Sequence, residues 1–151
     1  MVRDEWHCSQ NRATWRPHPL SRPLGDLAIH LAELPARLID TLQQSEFDLE
    51  PGGPGTTAPP AWTSRDALLA TFDHRVASAR AVLAATADAE LQAPWTLRNA
   101  GHTLFTAPKA SALRTWVFNH AVHHRGQLSV YLRLCGVPLP AMYGPTADVP
   151  F

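Results

Sequence analysis

Two histidines in the C-terminal part of the chain are spaced for joint chemistry. His120 and His124 stand four residues apart, so a helix would place both imidazoles on the same face, one turn from each other. The apolar residues that share this face are Leu113, Val117, Leu128 and Tyr131. Because the face is apolar, we expect both rings to point into the protein, as two ligands of one metal ion would.

A third histidine, His30, lies between Leu27 and Leu34 on the apolar stripe of an earlier helical segment. If the two helices pack antiparallel, His30 can meet the pair at 120 and 124. Neutral imidazole suits zinc, nickel, iron or copper. Three protein ligands leave at least one coordination position open for water or substrate, which is typical of catalytic rather than structural sites. The three histidines are therefore a candidate catalytic metal site.

The same spacing also fits histidines that belong to an ordinary core, because buried imidazoles usually find hydrogen-bond partners. Spacing alone leaves both interpretations open. The remaining histidines have no supporting pattern. We expect His123 on the flank of its helix, His7, His18 and His74 at the surface, and His102 in a connection outside the site.

Three long amphipathic helices are expected to position these side chains. Apolar residues recur at spacings of three and four over 22–44, 64–86 and 109–135. Pro35 lies inside the first helix and should kink it. Residues 94–108 mix apolar and polar types and should form a long connection that contains a short extended piece. The pattern predicts an all-α fold with antiparallel helices packed as a bundle.

Composition narrows the class of protein further. Thirteen basic and thirteen acidic residues give a formal net charge of zero, which offers no clustered positive charge for duplex nucleic acid or an anionic membrane. The chain has no apolar run long enough to cross a membrane and no signal-peptide core at its start. We therefore expect one cytoplasmic domain over residues 1–151, with 1–20 as an irregular lead-in and without nucleic-acid or membrane partners. Cys8 and Cys135 are far apart and are expected to be free thiols.

One stretch of the sequence is specific to a known family. It comprises the run from Asn119 to Arg133, followed by Gly136, Pro138, Pro140 and Tyr143-Gly144-Pro145, with further similarity at residues 15–19, 27–35, 95–97, 104–106, 108 and 114–116. These residues resemble the DinB-like, damage-inducible family over about 15–148. The resemblance implies a four-helix bundle with a divalent metal held by His30, His120 and His124. It also implies a fold similar to that of bacterial thiol S-transferases that use mycothiol or bacillithiol, and a homodimer.

The sequence departs from the family at its start. Only fourteen residues precede Trp15, too few for the long first helix that the family usually has there. We therefore expect the first helix of the four-helix bundle to be lacking or shortened. Three helices without the fourth would expose apolar faces, which favours either self-association or instability.

Two functions remain in view. In the first, the protein is an enzyme that uses the metal ion, either as a transferase of small thiols or as a hydrolase acting on small molecules. We expect the ion to be zinc or nickel in preference to iron or manganese. Asn119 and Gln127 would then orient a ligand or substrate, and Arg125 would receive a substrate carboxylate. In the second, the chain is a non-catalytic metal-binding or stress-response module that recruits a partner. A pocket beside the metal, with room and polar groups for a small thiol or electrophile, would distinguish the first from the second.

Overall fold

The computed structural model describes residues 12–56 and 60–150. The helices are α1 (Leu24–Gln43), α2 (Arg65–Ala85), α3 (Lys109–Ala112) and α4 (His120–Leu134), with a π-helical segment at Leu113–Asn119 and short 3₁₀ turns at Arg12–Thr14 and Glu90–Gln92. Since α3, the π-helical segment and α4 follow one another without a break, they form the third long helix. The three helices predicted from the leucine spacing are thus present, within two residues at each end. Pro35 lies inside α1 without ending it.

The expectation of an all-α fold is confirmed only in part, because the described chain is mostly helical but residues 94–108 contribute to a small sheet. Its strands are β1 (Glu46–Asp48), β2 (Pro94–Asn99) and β3 (His102–Pro108), in the order β1-β2-β3. β2 pairs parallel with β1 and antiparallel with β3. Trp95 and Leu97 are buried on one face of β2, which is the alternation of a half-buried strand.

A tight turn joins β2 to β3 and is held by one carboxylate. Ala100 and Gly101 have φ values of 48° and 80°, the left-handed conformation that tight hairpin turns require. The Asp48 carboxylate accepts the main-chain N–H groups of Ala100 and Gly101 at 2.9 and 2.7 Å. Because Asp48 is the last residue of β1, this contact also joins β1 to the β2–β3 hairpin.

Trp116 connects the two parts of the core. One cluster, between the helices, contains Leu38, Leu42, Ala79, Leu113 and Val117, and the other, under the sheet, contains Trp95, Leu97 and Ala112. The half-buried Trp116 packs against both clusters. It lies one turn before His120, so the core fixes the start of α4.

An apolar groove lies among α1, α2 and the third long helix. It has a volume of about 700 Å³ and is lined almost entirely by aliphatic and aromatic side chains. Several of these are exposed, among them Phe118 and Val122 at 49% each and Phe72 at 39%. Within the described residues the bundle has three long helices rather than four, and the groove runs along all three.

The lead-in and the tail pack near the ends of the helices. The Trp15 ring meets the Tyr131 ring edge-on at 5.8 Å, and Arg133 pairs with Asp148.

Cys135 is disulfide-bonded, so the expectation of a free thiol is wrong for this residue. Cys8 lies outside the described residues. None of the helices in the described ranges is long and apolar enough to span a membrane.

Candidate metal site

His30 projects from the middle of α1 towards the start of α4. It is half-buried, and it shares its side of the helix with Asp26, Glu33 and Arg37. This differs from the sequence analysis, which placed His30 on the leucine stripe. His120 and His124, both half-buried, occupy the first two turns of α4.

The three imidazoles converge through their Nε2 atoms. The His30 and His120 Nε2 atoms are 3.1 Å apart, and those of His120 and His124 are 2.8 Å apart. The three candidate ligand atoms all lie within 4.8 Å of one another. Two nitrogens that are each about 2.0–2.1 Å from one ion would lie about 2.9 Å apart at a right angle and about 3.3 Å apart at the tetrahedral angle. The separations of 3.1 and 2.8 Å are close to those values.

The outer nitrogens of two rings have oxygen acceptors. Nδ1 of His120 lies 3.2 Å from the Trp116 carbonyl, and Nδ1 of His124 lies 2.6 Å from Oε1 of Gln127. Since these oxygens accept, each Nδ1 carries the proton and donates it, which leaves the Nε2 of the neutral ring with a lone pair. Lone pairs that point at one another repel unless a proton or a metal ion lies between them. The donor set therefore fits a divalent cation, with the outer contacts that metal-binding histidines commonly have.

The π-helical segment explains how the Trp116 carbonyl becomes available. In a regular α-helix this carbonyl would accept the main-chain N–H of His120. Here the N–H of His120 donates instead to the Val117 carbonyl. The Trp116 carbonyl can therefore accept from the His120 ring. Single π-helical turns inside α-helices are frequent at functional sites.

Burial and nearby positive charge keep the three rings neutral. Burial lowers the pKa of His30 to about 3, assisted by the charges of Arg22, His124, His120 and Arg37. Burial is also the main cause of the lowered pKa values of His120 and His124, although the contacts with Trp116 and Gln127 act in the opposite direction. Neutral imidazole is the form that binds a metal ion, so the rings are ready to bind at neutral pH.

Comparison with known proteins places this arrangement in a family. The sequence model of the DinB family matches residues 25–149. The chain belongs to the DinB family. Among solved structures, the crystal structure of a DinB-like protein from Bacillus subtilis is similar to it, with a TM-score of 0.63 and 17% identity over 90% of this chain and 84% of that one. At that identity the likeness shows a shared fold. None of the curated proteins matches the chain.

The remaining residues singled out from the sequence lie in different places in this DinB-family structure. Gln127 contacts His124, as described above. Asn119 is exposed, and no hydrogen bond joins its side chain to the three histidines. The Arg125 guanidinium lies 5.3 Å from the centre of the Tyr143 ring, and Arg125 lines the apolar groove. The structure therefore brings Gln127 to the site but not Asn119 or Arg125.

The other histidines do not join the triad. His123 is exposed, and its ring meets that of His124 edge-on at 4.8 Å. His18, His74 and His102 are exposed, and His18 accepts the main-chain N–H of Leu20 through its Nδ1. His7 lies outside the described residues.

A cleft that the sequence analysis did not anticipate opens beside the DinB-family triad. It has a volume of about 690 Å³. Its lining comprises Arg22, Asp26, His30, Glu33, Ala36, Arg37 and Asp40 of α1 and its approach, together with Phe47, Pro60 and Arg75. The polar residues of α1 recur at spacings of three and four, like the leucines. That second stripe is the signal in the sequence that could have located the cleft.

Proposed function

We propose that this DinB-family protein is a metal-dependent enzyme that acts on small molecules, as a thiol S-transferase or a hydrolase. His30, His120 and His124 would hold a divalent ion, for which zinc or nickel is preferred to iron or manganese. The observation that carries the proposal is the cleft of about 690 Å³, which reaches His30 and is lined by charged side chains. Such a cleft would let a small thiol or electrophile approach the triad from the side of His30.

When bound, the ion would supply Lewis acidity, lowering the pKa of a coordinated thiol or water towards neutrality. Thiol transfer then forms a bond between the sulfur and an electrophilic carbon, while the leaving group departs with its electron pair and the thiol proton passes to solvent. In hydrolysis, water takes the place of the thiol.

The chain's own part is orientation and access. The Trp116 carbonyl and Gln127 fix the His120 and His124 rings through their Nδ1 atoms. Three protein ligands leave coordination positions free. Because the rings are only half-buried and the cleft lies beside His30, a substrate can approach from the α1 side.

The alternative is a non-catalytic metal-binding module. It is favoured by one observation: His30 lies on α1, whereas His120 and His124 lie on α4, so a bound ion would join two helices. An ion in such a role stabilises the fold without turning over a substrate. Both proposals require the metal, and they differ in whether a reaction occurs.

The test begins with elemental analysis of the purified protein, from which any affinity tag has been removed. The zinc- and nickel-loaded forms are then mixed with low-molecular-weight thiols and chlorodinitrobenzene, whose conjugation is followed by absorbance, and with a panel of ester and amide substrates. Turnover by the loaded wild type that His124→Ala lacks and His123→Ala keeps would support the enzyme. Stoichiometric metal with no turnover would favour the module, and absence of metal binding would contradict both.

A further inference from the structure

Arg37 is one of three arginines that line the cleft beside the histidine triad. Its guanidinium lies between two aromatic rings, 5.0 Å from the centres of both Phe47 and Trp116. Its Nε and Nη1 atoms are buried and have no hydrogen-bond partner among the described residues. An unsatisfied buried donor on a charged group is costly, so this arrangement calls for an anionic acceptor.

The carboxylates near Arg37 do not fill that role. None of those in the described ranges forms an ion pair with it. Glu33 lies 3.9 Å from Arg75 instead. The charges of Glu33 and Asp40 do act on Arg37, but without an ion pair, and burial raises the pKa of the Asp40 carboxyl although Arg37 opposes that shift. Asp26 also lines the cleft, so the lining has both signs of charge.

Arg37 is connected to the triad through the ring of Trp116. Trp116, whose ring has the Arg37 guanidinium at one face, lies 5.4 Å from the His120 ring, measured between centres. Along α1, Arg37 follows His30 by two turns, or about 10 Å of helix axis. This spacing of the two residues along α1 sets the scale, several carbon atoms, that a ligand joining them would have.

We propose that Arg37 anchors the carboxylate of a small acidic substrate whose reactive end lies at His30, His120 and His124. This inference rests on the proposed function. It adds the class of substrate, an anion whose charge is several carbon atoms from the reacting group. A planar guanidinium held between aromatic rings can offer two parallel N–H donors to a carboxylate. Arg22 adds positive charge at the other end of the cleft.

The experiment uses the cobalt-loaded protein, whose visible spectrum changes when a sulfur ligand joins the metal. Mercaptohexanoate and mercaptohexanol have the same length and differ in the carboxylate, while mercaptopropionate keeps the carboxylate and is shorter. We expect wild type to bind mercaptohexanoate at least about ten-fold more tightly than the other two, the range expected for a charge-assisted contact. Arg37→Met, which keeps the unbranched stem between the rings, should lose that preference and still bind cobalt.

Arg80→Met is the matched control, since Arg80 lines the apolar groove and not the cleft; it should behave like wild type. Arg37→Lys, which keeps the charge and removes the two parallel donors, should retain part of the preference. Equal binding of mercaptohexanoate and mercaptohexanol by wild type, with the cobalt spectrum changed by both, would overturn the carboxylate site and leave the metal site standing. A preference that survives in Arg37→Met would also overturn it. Failure of cobalt to bind at all would overturn the inference together with the function on which it rests.

Discussion

Nδ1 of His124 lies 2.6 Å from Oε1 of Gln127, three residues further along α4. The contact fixes the rotation of the His124 ring, so that its Nε2 faces the other two histidines. We predict that Gln127→Ala weakens metal binding by about 10- to 100-fold, as is typical when a hydrogen bond to a metal ligand is lost. Gln127→Glu, which keeps an acceptor oxygen, should retain most of the affinity. Competition with a chromogenic chelator measures both, and unchanged affinity in Gln127→Ala would show that the contact does not orient the ring.

The two adjacent histidines of α4 should behave differently. We expect His124→Ala to lose more affinity than the roughly 100-fold that a missing supporting contact can cost, because it removes a ligand. His123→Ala should change the affinity little, since His123 is exposed and is not one of the three histidines whose ligand atoms converge. Isothermal titration with zinc or nickel compares them. Similar losses in both variants would mean that α4 presents a different face to α1.

Acid should destabilise the metal-free protein in a defined range of pH. The pKa of His30 is lowered from 6.5 to about 3 in the folded chain. Between these two pKa values His30 is protonated in the unfolded chain and neutral in the folded chain. The free energy of unfolding therefore falls as the pH decreases from about 6.5 to about 3. Above that range the contribution of His30 is constant. His120 and His124 act in the same direction.

Urea titrations of the metal-free protein between about pH 7.5 and pH 5 test this linkage. His30→Asn cannot titrate, so its free energy of unfolding should depend less steeply on pH than that of wild type. An equally steep dependence would show that His30 is not the group responsible.

The apolar groove should make the protein self-associate. The groove runs along three helices, and a second copy offers the same apolar surface. We expect wild type to form a homodimer through it and Phe72→Glu to shift the equilibrium towards the monomer. Leu104→Glu is the control, because Leu104 is 56% exposed on β3, outside the groove. Sedimentation velocity distinguishes the species, and a wild type that stays monomeric at high concentration would contradict a second copy as the occupant.

The helices could be predicted because long segments with regular apolar spacing are the strongest signal in a sequence. The sheet could not, since its parallel pair joins residues some fifty positions apart and one of its members has only three residues. Within the hairpin, Trp95 and Leu97 do alternate with less buried residues, but β3 is mostly exposed and shows no apolar face of its own. Such short, partly exposed strands resemble loops in composition.

The candidate site was accessible to sequence reasoning only in part. The spacing of His120 and His124 gives their common face directly. The face of α1 on which His30 lies was harder to predict, because α1 carries a polar stripe beside its leucine stripe and His30 belongs to the polar stripe. The π-helical segment that frees the Trp116 carbonyl depends on packing and has no marker in the sequence. Arg37 was missed because its role depends on ring contacts with Phe47 and with Trp116, and Trp116 is distant from it in the chain.

The separation of His30 and His120 along the chain, 90 residues, gives the triad a topological role. An ion bound between them would close a loop that contains α2 and all three strands. A permanent link closing a loop of about 100 residues reduces the entropy of the unfolded chain by an amount worth about 4.7 kcal/mol. A metal link is reversible, so the gain depends on the concentration of free ion. When the ion is scarce, the contact between α1 and α4 would be the first to loosen, and the lifetime of the folded chain would follow the supply of metal.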